Sequence, residues 1–280
     1  MNSIPTFLFP VWQGAGDKAV YHGAMVMQQH AASAHVMPVG ISLTDGLDRR
    51  NGIIGYDVIV RQLSEARQIL AQQSCSKVLT LGGGCDAEIL PISYLNRLYN
   101  GDLTVVWFDA HGDLNTPTSS PSGLFHGMPL RCLLDEGDAQ IRNHCFSHLQ
   151  PRQIVFAGCR DIDEPERLYI CNNNIVCIAP QELKNGHSLC NALPEKVYRR
   201  VYIHIDLDVL DPECFPSVMC PVSGGISVET LIKTLCELHA EVEIVGIGIV
   251  EYVPGRDHCE KGLQRIISCC EDILAYESPS

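Results

Sequence analysis

Apolar residues along this chain fall into short unbroken runs separated by stretches of helical period. TFLFPVW (6–12), KVLTLGG (77–83), LTVVWFDA (103–110), QIVFAGC (153–159), NIVCIAP (174–180), VYIHIDLDV (201–209) and EIVGIGIVE (243–251) predict strands. Most lack the apolar–polar alternation of a half-exposed strand, which predicts burial on both faces. Between them, the segment 56–73 places Ile59, Leu63, Ala66 and Leu70 on one stripe of a helix. Segment 227–240 does the same with Val228, Leu231, Leu235 and Leu238, behind Ser227 as an N-cap. The tail 259–276 repeats the pattern with Leu263, Ile266, Ile267, Cys270 and Ile273. Strands alternating with helices predict an α/β fold with a parallel sheet covered on both faces. Ligands on such sheets bind beyond the carboxyl ends of the strands, so acids found there carry the functional argument.

Composition narrows the classes. A chain of 280 residues, 46% of them hydrophobic, suffices for one large α/β domain or two small ones. Twenty basic against 33 acidic residues leave a formal charge of −13. That balance argues against nucleic acid and anionic membranes as partners, and it suits cations such as metal ions or guanidinium groups. The apolar runs are too short to span a bilayer. The opening MNSIPTFLFPVWQG has neither a basic n-region nor a cleavage site, so no signal peptide is expected. The fourteen cysteines form no CxxC pair, and Cys177, Cys236, Cys269 and Cys270 sit within apolar runs. Reduced thiols in a cytoplasmic protein are expected.

Two strands end in acid clusters. VVWFDAHGDLNTP presents Asp109, His111 and Asp113, followed by Asn115; VYIHIDLDVLDP presents Asp206 and Asp208, with Asp211 further on. A period of two on extended backbone would put each set on one side. Either cluster alone could be a set of exposed turn acids. Both together, on apolar strands, would be costly without cations. Four carboxylates and a histidine fit a pair of divalent ions roughly 3.5–4 Å apart, and oxygen-rich ligation favours a hard ion such as Mn²⁺. A third segment, LGGGCDAEIL (81–90), presents Cys85 at a glycine-rich turn, where it could be a buried filler, a nucleophile or a metal ligand.

These blocks resemble the ureohydrolases, the family of arginase, agmatinase and formimidoylglutamase. DAHGDLNTP resembles the family's DAHxDxN block and DLDVLDP its DxDxxDP block. LGGGC stands where the family has a GGDH-like block, SGLFHGMP (122–129) resembles its SGNxHG loop, and GIVEYVP stands where it has a glutamate after an apolar strand. The order is the family's order. The resemblance implies a three-layer αβα fold with a central, mainly parallel sheet, formed by residues 1–280 as a single domain.

It also implies a hydrolase of a guanidino group that uses two Mn²⁺ ions and a hydroxide bridging them, releasing urea, or hydroxyurea, and ornithine. Asp109 and Asp206 would bridge the metals, His111 and Asp208 would complete one ligand set, and Asp113 with position 85 the other. Asp113, His126 and Glu251 are the expected catalytic groups, with Glu251 orienting the guanidinium and His126 shuttling protons. Otherwise His126 would be a loop-stabilising residue and Glu251 a strand-end surface acid. Asn115, Ser120 and Ser122 would grip an α-carboxylate, and Asp163, in GCRDIDEPE, the α-amino group. Ordinary loop hydrogen bonding is the alternative for these four.

Two departures stand out. Leu124 replaces the asparagine of SGNxHG. Cys85 occupies the position of a metal-binding histidine, with Gly84 before it and Asp86 after it as a weaker ligand candidate. A thiolate there would admit other divalent metals and make the bridging water a weaker acid. Some relatives with a cysteine act on hydroxylated arginine, so Nω-hydroxy-L-arginine is the first alternative substrate. A regulatory metal-binding homologue without turnover is the alternative of another class. The expected partner is a small guanidino molecule, and a homo-oligomer is left open.

Overall fold

The computed structural model describes residues 4–44, 46–186, 189–191, 193, 199–255 and 259–276. Its strands, in chain order, are β1 (Thr6–Phe9), β2 (Val36–Pro38), β3 (Arg49–Arg50), β4 (Ile53–Ile54), β5 (Val78–Gly82), β6 (Thr104–Phe108), β7 (Ile154–Ala157), β8 (Val176–Ile178), β9 (Arg200–Asp206) and β10 (Glu243–Val250). Eight of them form one sheet in the order β2-β1-β5-β10-β9-β6-β7-β8, with β3 and β4 paired apart from it. Every pairing within the large sheet is parallel. The helices are α1 (Ala19–His30), α2 (Tyr56–Ala71), α3 (Ile89–Leu98), α4 (Pro129–Leu133), α5 (Ala139–Arg142), α6 (Glu164–Asn172), α7 (Pro180–Lys184), α8 (Val228–Glu241) and α9 (Glu260–Ala275).

The pleat divides the core into two layers. Phe7, Phe9, Val105 and Trp107 pack with Ile59 and Leu63 of α2 and with Ile92 and Leu95 of α3. Their alternates Leu8, Val106 and Phe108 pack on the opposite face with Met27 of α1, Leu231 and Leu235 of α8, and Ile266 and Ile267 of α9. The result is the expected three-layer αβα arrangement. All seven expected strands are present, each a little shorter or displaced at its ends. Among the described residues, no helix is long and apolar enough to cross a membrane.

Some elements depart from the sequence pattern. β8 was expected to be buried on both faces, yet Val176 and Cys177 are exposed, because β8 is an edge strand. β2 carries Pro38, which lacks a donor; the opposite edge tolerates it. α1 contains Gly23, which costs a helix about 0.5–1 kcal/mol relative to alanine. A methyl there would overlap the carbonyl of Tyr252, so the helix lies flush on that backbone. α3 shows no amphipathic period because Ile89 through Asn96 are all buried. Its Pro91 sits in the first turn, where a missing N–H leaves no bond unmade. All fourteen cysteines are free thiols, although Cys236 as well as Cys177 is exposed despite its apolar surroundings in sequence.

This order sets β5, β10, β9 and β6 side by side in the middle of the sheet. Their carboxyl ends deliver Cys85, Glu251, Asp206 and Asp109 to one place.

Candidate functional site

The acid clusters converge by turns rather than by the pleat. Asp109 follows the last residue of β6 and is fully buried. Its Oδ1 accepts the His111 backbone N–H at 2.6 Å and its Oδ2 the Trp107 indole N–H at 3.0 Å. Asp113 then takes a left-handed backbone, φ 52°. The stretch is therefore not extended, and the period-two account of it was wrong in its geometry. After β9, Leu207–Val209 makes a 3₁₀ turn in which Asp206 Oδ1 accepts the Asp208 N–H at 2.8 Å. Asp208 Oδ1 accepts the Ala110 N–H at 2.9 Å, joining the two strand ends. His111 Nδ1 lies 2.9 Å from Asp208 Oδ2 and 3.4 Å from Asp109 Oδ1. Arg160, which sequence reasoning passed over, donates to the carbonyls of Asp208 and Val222 at 2.7 Å each and pins this loop. Asp211 stands apart as a turn acid, accepting from the backbone of Glu213 and Gly224.

Cys85 and Glu251 close the other side. Glu251 is 1% exposed, also has a left-handed backbone (φ 64°), and is no surface acid. Its Oε1 accepts the Cys85 N–H at 3.2 Å and lies 3.0 Å from His126 Nδ1. Cys85 Sγ lies 3.1 Å from Asp206 Oδ2 and 3.7 Å from Glu251 Oε1. The Cys85 thiol thus borders the hydrophobic core and faces carboxylates at once. Asp86 turns away: its carboxylate fills space beside Gly14 and Gly84 where a methyl would overlap it, and it joins none of the ligand groups among the described residues.

Three overlapping groups place one ligand atom per residue within 4.8 Å of one another: Cys85, Asp109, Asp113 and His204; Cys85, Asp206 and Glu251; Asp109, His111 and Asp208. Burial and neighbouring carboxylates push Asp113 and Asp206 well above the usual range. Burial and the Asp109 charge bring Asp208 to about 6. Burial, then Asp113, Asp206 and Glu251, drive the Cys85 thiol well up. For His111 burial works downward, but hydrogen bonds and charge from Asp109 and Asp208 win and raise it strongly. For Asp109 burial works upward, but His111 and His204 hold it low. So many acids cannot all ionise here without added positive charge. Asp113 Oδ2, Glu251 Oε2 and His204 Nε2 are buried with no hydrogen-bond partners among the described residues. Unsatisfied ligand atoms on a carboxylate, thiol and imidazole donor set fit divalent cations.

An open cleft leads to these groups, lined further by Asn115, Ser120, Ser122, His126, Asp161, Asp163 and Cys220. Asn115 Nδ2 donates to Asp163 Oδ2 at 2.8 Å, so these two expected substrate groups meet. Ser119, not singled out from the sequence, donates to Asn115 Oδ1 at 2.8 Å. Ser120 and Ser122 accept the backbone N–H of Gly123 and Leu124 at 3.0 and 3.1 Å, which is loop hydrogen bonding at the cleft wall. The Leu124 side chain points to the backbone of Gly16. Glu166 was also missed. It accepts from Leu114 N–H at 2.8 Å and Asp163 N–H at 3.0 Å. Its signal was the Asp163–Glu166 capping box that opens α6. Glu88 and His204 were missed as well, although an ionisable residue in an apolar run is their signal.

The arginase family model matches residues 18–270 of this chain. The arginase of Staphylococcus aureus (strain MRSA252) is 32% identical over 231 residues, covering 78% of this chain and 75% of the relative. The mitochondrial arginase-2 of Homo sapiens is 27% identical, covering 98% and 84%. Among solved structures, Entamoeba histolytica arginase in complex with L-ornithine superposes with a TM-score of 0.85 at 24% identity over 97% of each chain. Formimidoylglutamase from Bacillus subtilis superposes at 0.73 and 18% identity, over 98% of this chain and 86% of the other. At these identities the superpositions show the shared fold.

Proposed function

This chain belongs to the arginase family, hydrolases of amidines, and from that premise we propose that it hydrolyses the guanidino group of an arginine-like α-amino acid to urea and ornithine at a two-metal centre. The observation that carries the reading is the convergence of Cys85, Asp109, His111, Asp113, Asp206 and Asp208 within ligand reach at the carboxyl ends of β5, β6 and β9. Asp109 and Asp206 would bridge two ions, His111 and Asp208 would hold one, and Cys85 and Asp113 the other. Mn²⁺ suits the oxygen-rich set, and the Cys85 sulfur widens the choice. When bound, such a pair supplies activated water near neutral pH and stabilises charge developing at the attacked carbon.

The remaining steps belong to side chains. Glu251, buried and aimed into the cleft, would accept hydrogen bonds from the guanidinium and fix its carbon over the centre. His126, 3.0 Å from Glu251 and facing the cleft, would carry a proton to the leaving amine. Asn115 and Asp163 would recognise the α-carboxylate and α-amino groups, with Ser120 and Ser122 shaping the wall.

A second substrate, Nω-hydroxy-L-arginine, is favoured by one observation: Cys85 stands where the resemblance expects histidine, and its sulfur faces Asp206. The test is a urea, hydroxyurea and ornithine assay with Mn²⁺ on arginine, hydroxyarginine, agmatine and formimidoylglutamate. Turnover of an α-amino guanidine is the expected result. No turnover of any, with two ions bound, would leave a regulatory metal-binding protein instead.

A further inference from the structure

Against the proposed centre lies a fully buried imidazole, that of His204. His204 is on β9 two residues before Asp206, so the pleat turns both side chains to one face. Its Nδ1 is 2.6 Å from Glu88 Oε2, and the other Glu88 oxygen accepts the Tyr202 hydroxyl at 2.6 Å. Tyr202 OH is in turn 3.1 Å from Thr80 Oγ1. The Trp107 ring stacks on the imidazole at 3.5 Å and 11°. Glu88 has room because residue 248 of neighbouring β10 is glycine, and a methyl there would overlap its carboxylate. The ring is thus held in plane and in direction by groups on three strands and the turn before α3.

What this framework aims is Nε2. That atom is buried with no hydrogen-bond partner among the described residues and lies 3.8 Å from Asp109 Oδ2. The gap is too long for a hydrogen bond. It falls within the span of two ligands each about 2.0–2.2 Å from one shared ion, at a wide angle between them. Cys85 and Asp113 offer ligand atoms in the same group, within 4.8 Å. An imidazole that gives Nδ1–H to a carboxylate and turns Nε2 toward other ligand atoms is the arrangement in which proteins orient metal-bound histidines.

We propose that His204 is a metal ligand, sharing one ion with Cys85, Asp109 and Asp113, and that Glu88 is its positioning residue. Resting on the two-metal reading above, this assigns the imidazole absent from position 85, behind β5, to β9, two strands away in the sheet. That ion would then sit in a mixed sulfur, nitrogen and oxygen set, which favours borderline ions such as Co²⁺ or Zn²⁺ over Mn²⁺. The other ion would keep His111 as its only nitrogen.

The test uses the full chain loaded with Co²⁺, whose paramagnetism shifts the ring N–H of each bound histidine far outside the ordinary proton spectrum. Two such resonances are expected for the wild type, with two ions bound, and one for His204→Gln. Glu88→Gln is expected to keep both but move one, and to lower the affinity of one ion about 10–100-fold. Two bound ions with a single histidine resonance in the wild type would overturn the His204 assignment and leave the two-metal reading standing. Failure of the folded wild type to bind Co²⁺ would overturn both. The wild-type count needs no variant, so a misfolded substitution does not decide the matter.

Discussion

Cys85 Sγ lies 3.1 Å from Asp206 Oδ2, a thiol against a carboxylate, both almost wholly buried at the floor of the cleft. Burial first, then the surrounding acids, keep that thiol protonated at neutral pH in the metal-free protein. A bound cation inverts the preference and drives the proton off. Metal loading is therefore expected to release about one proton more from the wild type than from Cys85→Ser, measured by calorimetry in buffers of different ionisation enthalpy. Cys85→Ser should weaken one ion more than the other. Cys85→His should keep both and move preference toward plain arginine. Identical proton release, stoichiometry and substrate ranking in all three proteins would reduce Cys85 to packing.

Asp109 is engaged at both oxygens, which accept from Trp107 and His111, and it belongs to two of the three ligand groups. Asp109→Asn removes a negative charge that both proposed ions share. Metal content should fall, with affinity lost by at least about 10–100-fold, and turnover should vanish at ordinary metal concentrations. Asp206→Asn should behave alike. Unchanged metal content and rate in either variant would refute the bridging assignment.

Asn115 bonds Asp163 at one end of its amide and Ser119 at the other. Asn115→Ala should raise KM for arginine more than for agmatine, because agmatine lacks the carboxylate that the amide would bind. A hydrogen bond to a charged group is worth about 1.5–3 kcal/mol, so the discrimination ratio should fall on the order of 10-fold or more. Equal losses on both substrates would leave Asn115 as a loop brace only.

The site also fixes how stability depends on pH. In the metal-free protein burial raises Asp86 to about 7, and burial with the Asp109 charge raises Asp208 to about 6. His126 is lowered by burial but raised more by Glu251, and ends above 6.5. Each group binds its proton more tightly folded than unfolded. Its stabilising contribution is complete below the unfolded value and is lost as pH rises through the folded value. Asp109 has the opposite sign, but its contribution is lost only below the ordinary carboxylate range. From about pH 5.5 to about pH 8 the metal-free protein should therefore lose stability, and Mn²⁺ should restore it. The rise in Tm on adding Mn²⁺ should be larger at the upper pH. A rise that is equal or larger at the lower pH would contradict this account.

The sequence carried the sheet because buried strands write themselves as unbroken apolar runs, and it carried α2, α8 and α9 because one exposed face leaves a period. It did not carry α3, which is buried all round, nor α1, whose Gly23 answers to the Tyr252 backbone far away in the chain. The same division runs through the site. Asp109, His111, Asp113, Asp206 and Asp208 stand out as acids and imidazole massed behind apolar strands. Glu88 and His204 are just as buried, but each reads as one polar residue in an apolar context. Their meaning lies in a 2.6 Å contact between residues on different elements, made possible by Gly248 on a third. No local pattern encodes that.

Glu166 shows how one such hidden contact ties chemistry to recognition. Its carboxylate accepts from Leu114 N–H, between Asp113 and Asn115, and from Asp163 N–H, so one buried side chain sets the loop of a proposed metal ligand against both proposed amino-acid contacts. Glu166→Gln keeps the size but turns an NH₂ group toward one of the two N–H donors. Leaving a buried donor unpaired costs about 1–3 kcal/mol. Because that donor belongs to Asn115's loop or to Asp163, the loss should fall on binding. KM for arginine should rise about 5- to 100-fold while two ions remain bound. Glu166→Asp, too short to reach both donors, should do the same with a lower Tm. Calorimetric metal counts beside steady-state kinetics decide it: loss of an ion in Glu166→Gln, or a fall in kcat with KM unchanged, would place Glu166 with the metal-binding framework instead of the substrate cleft.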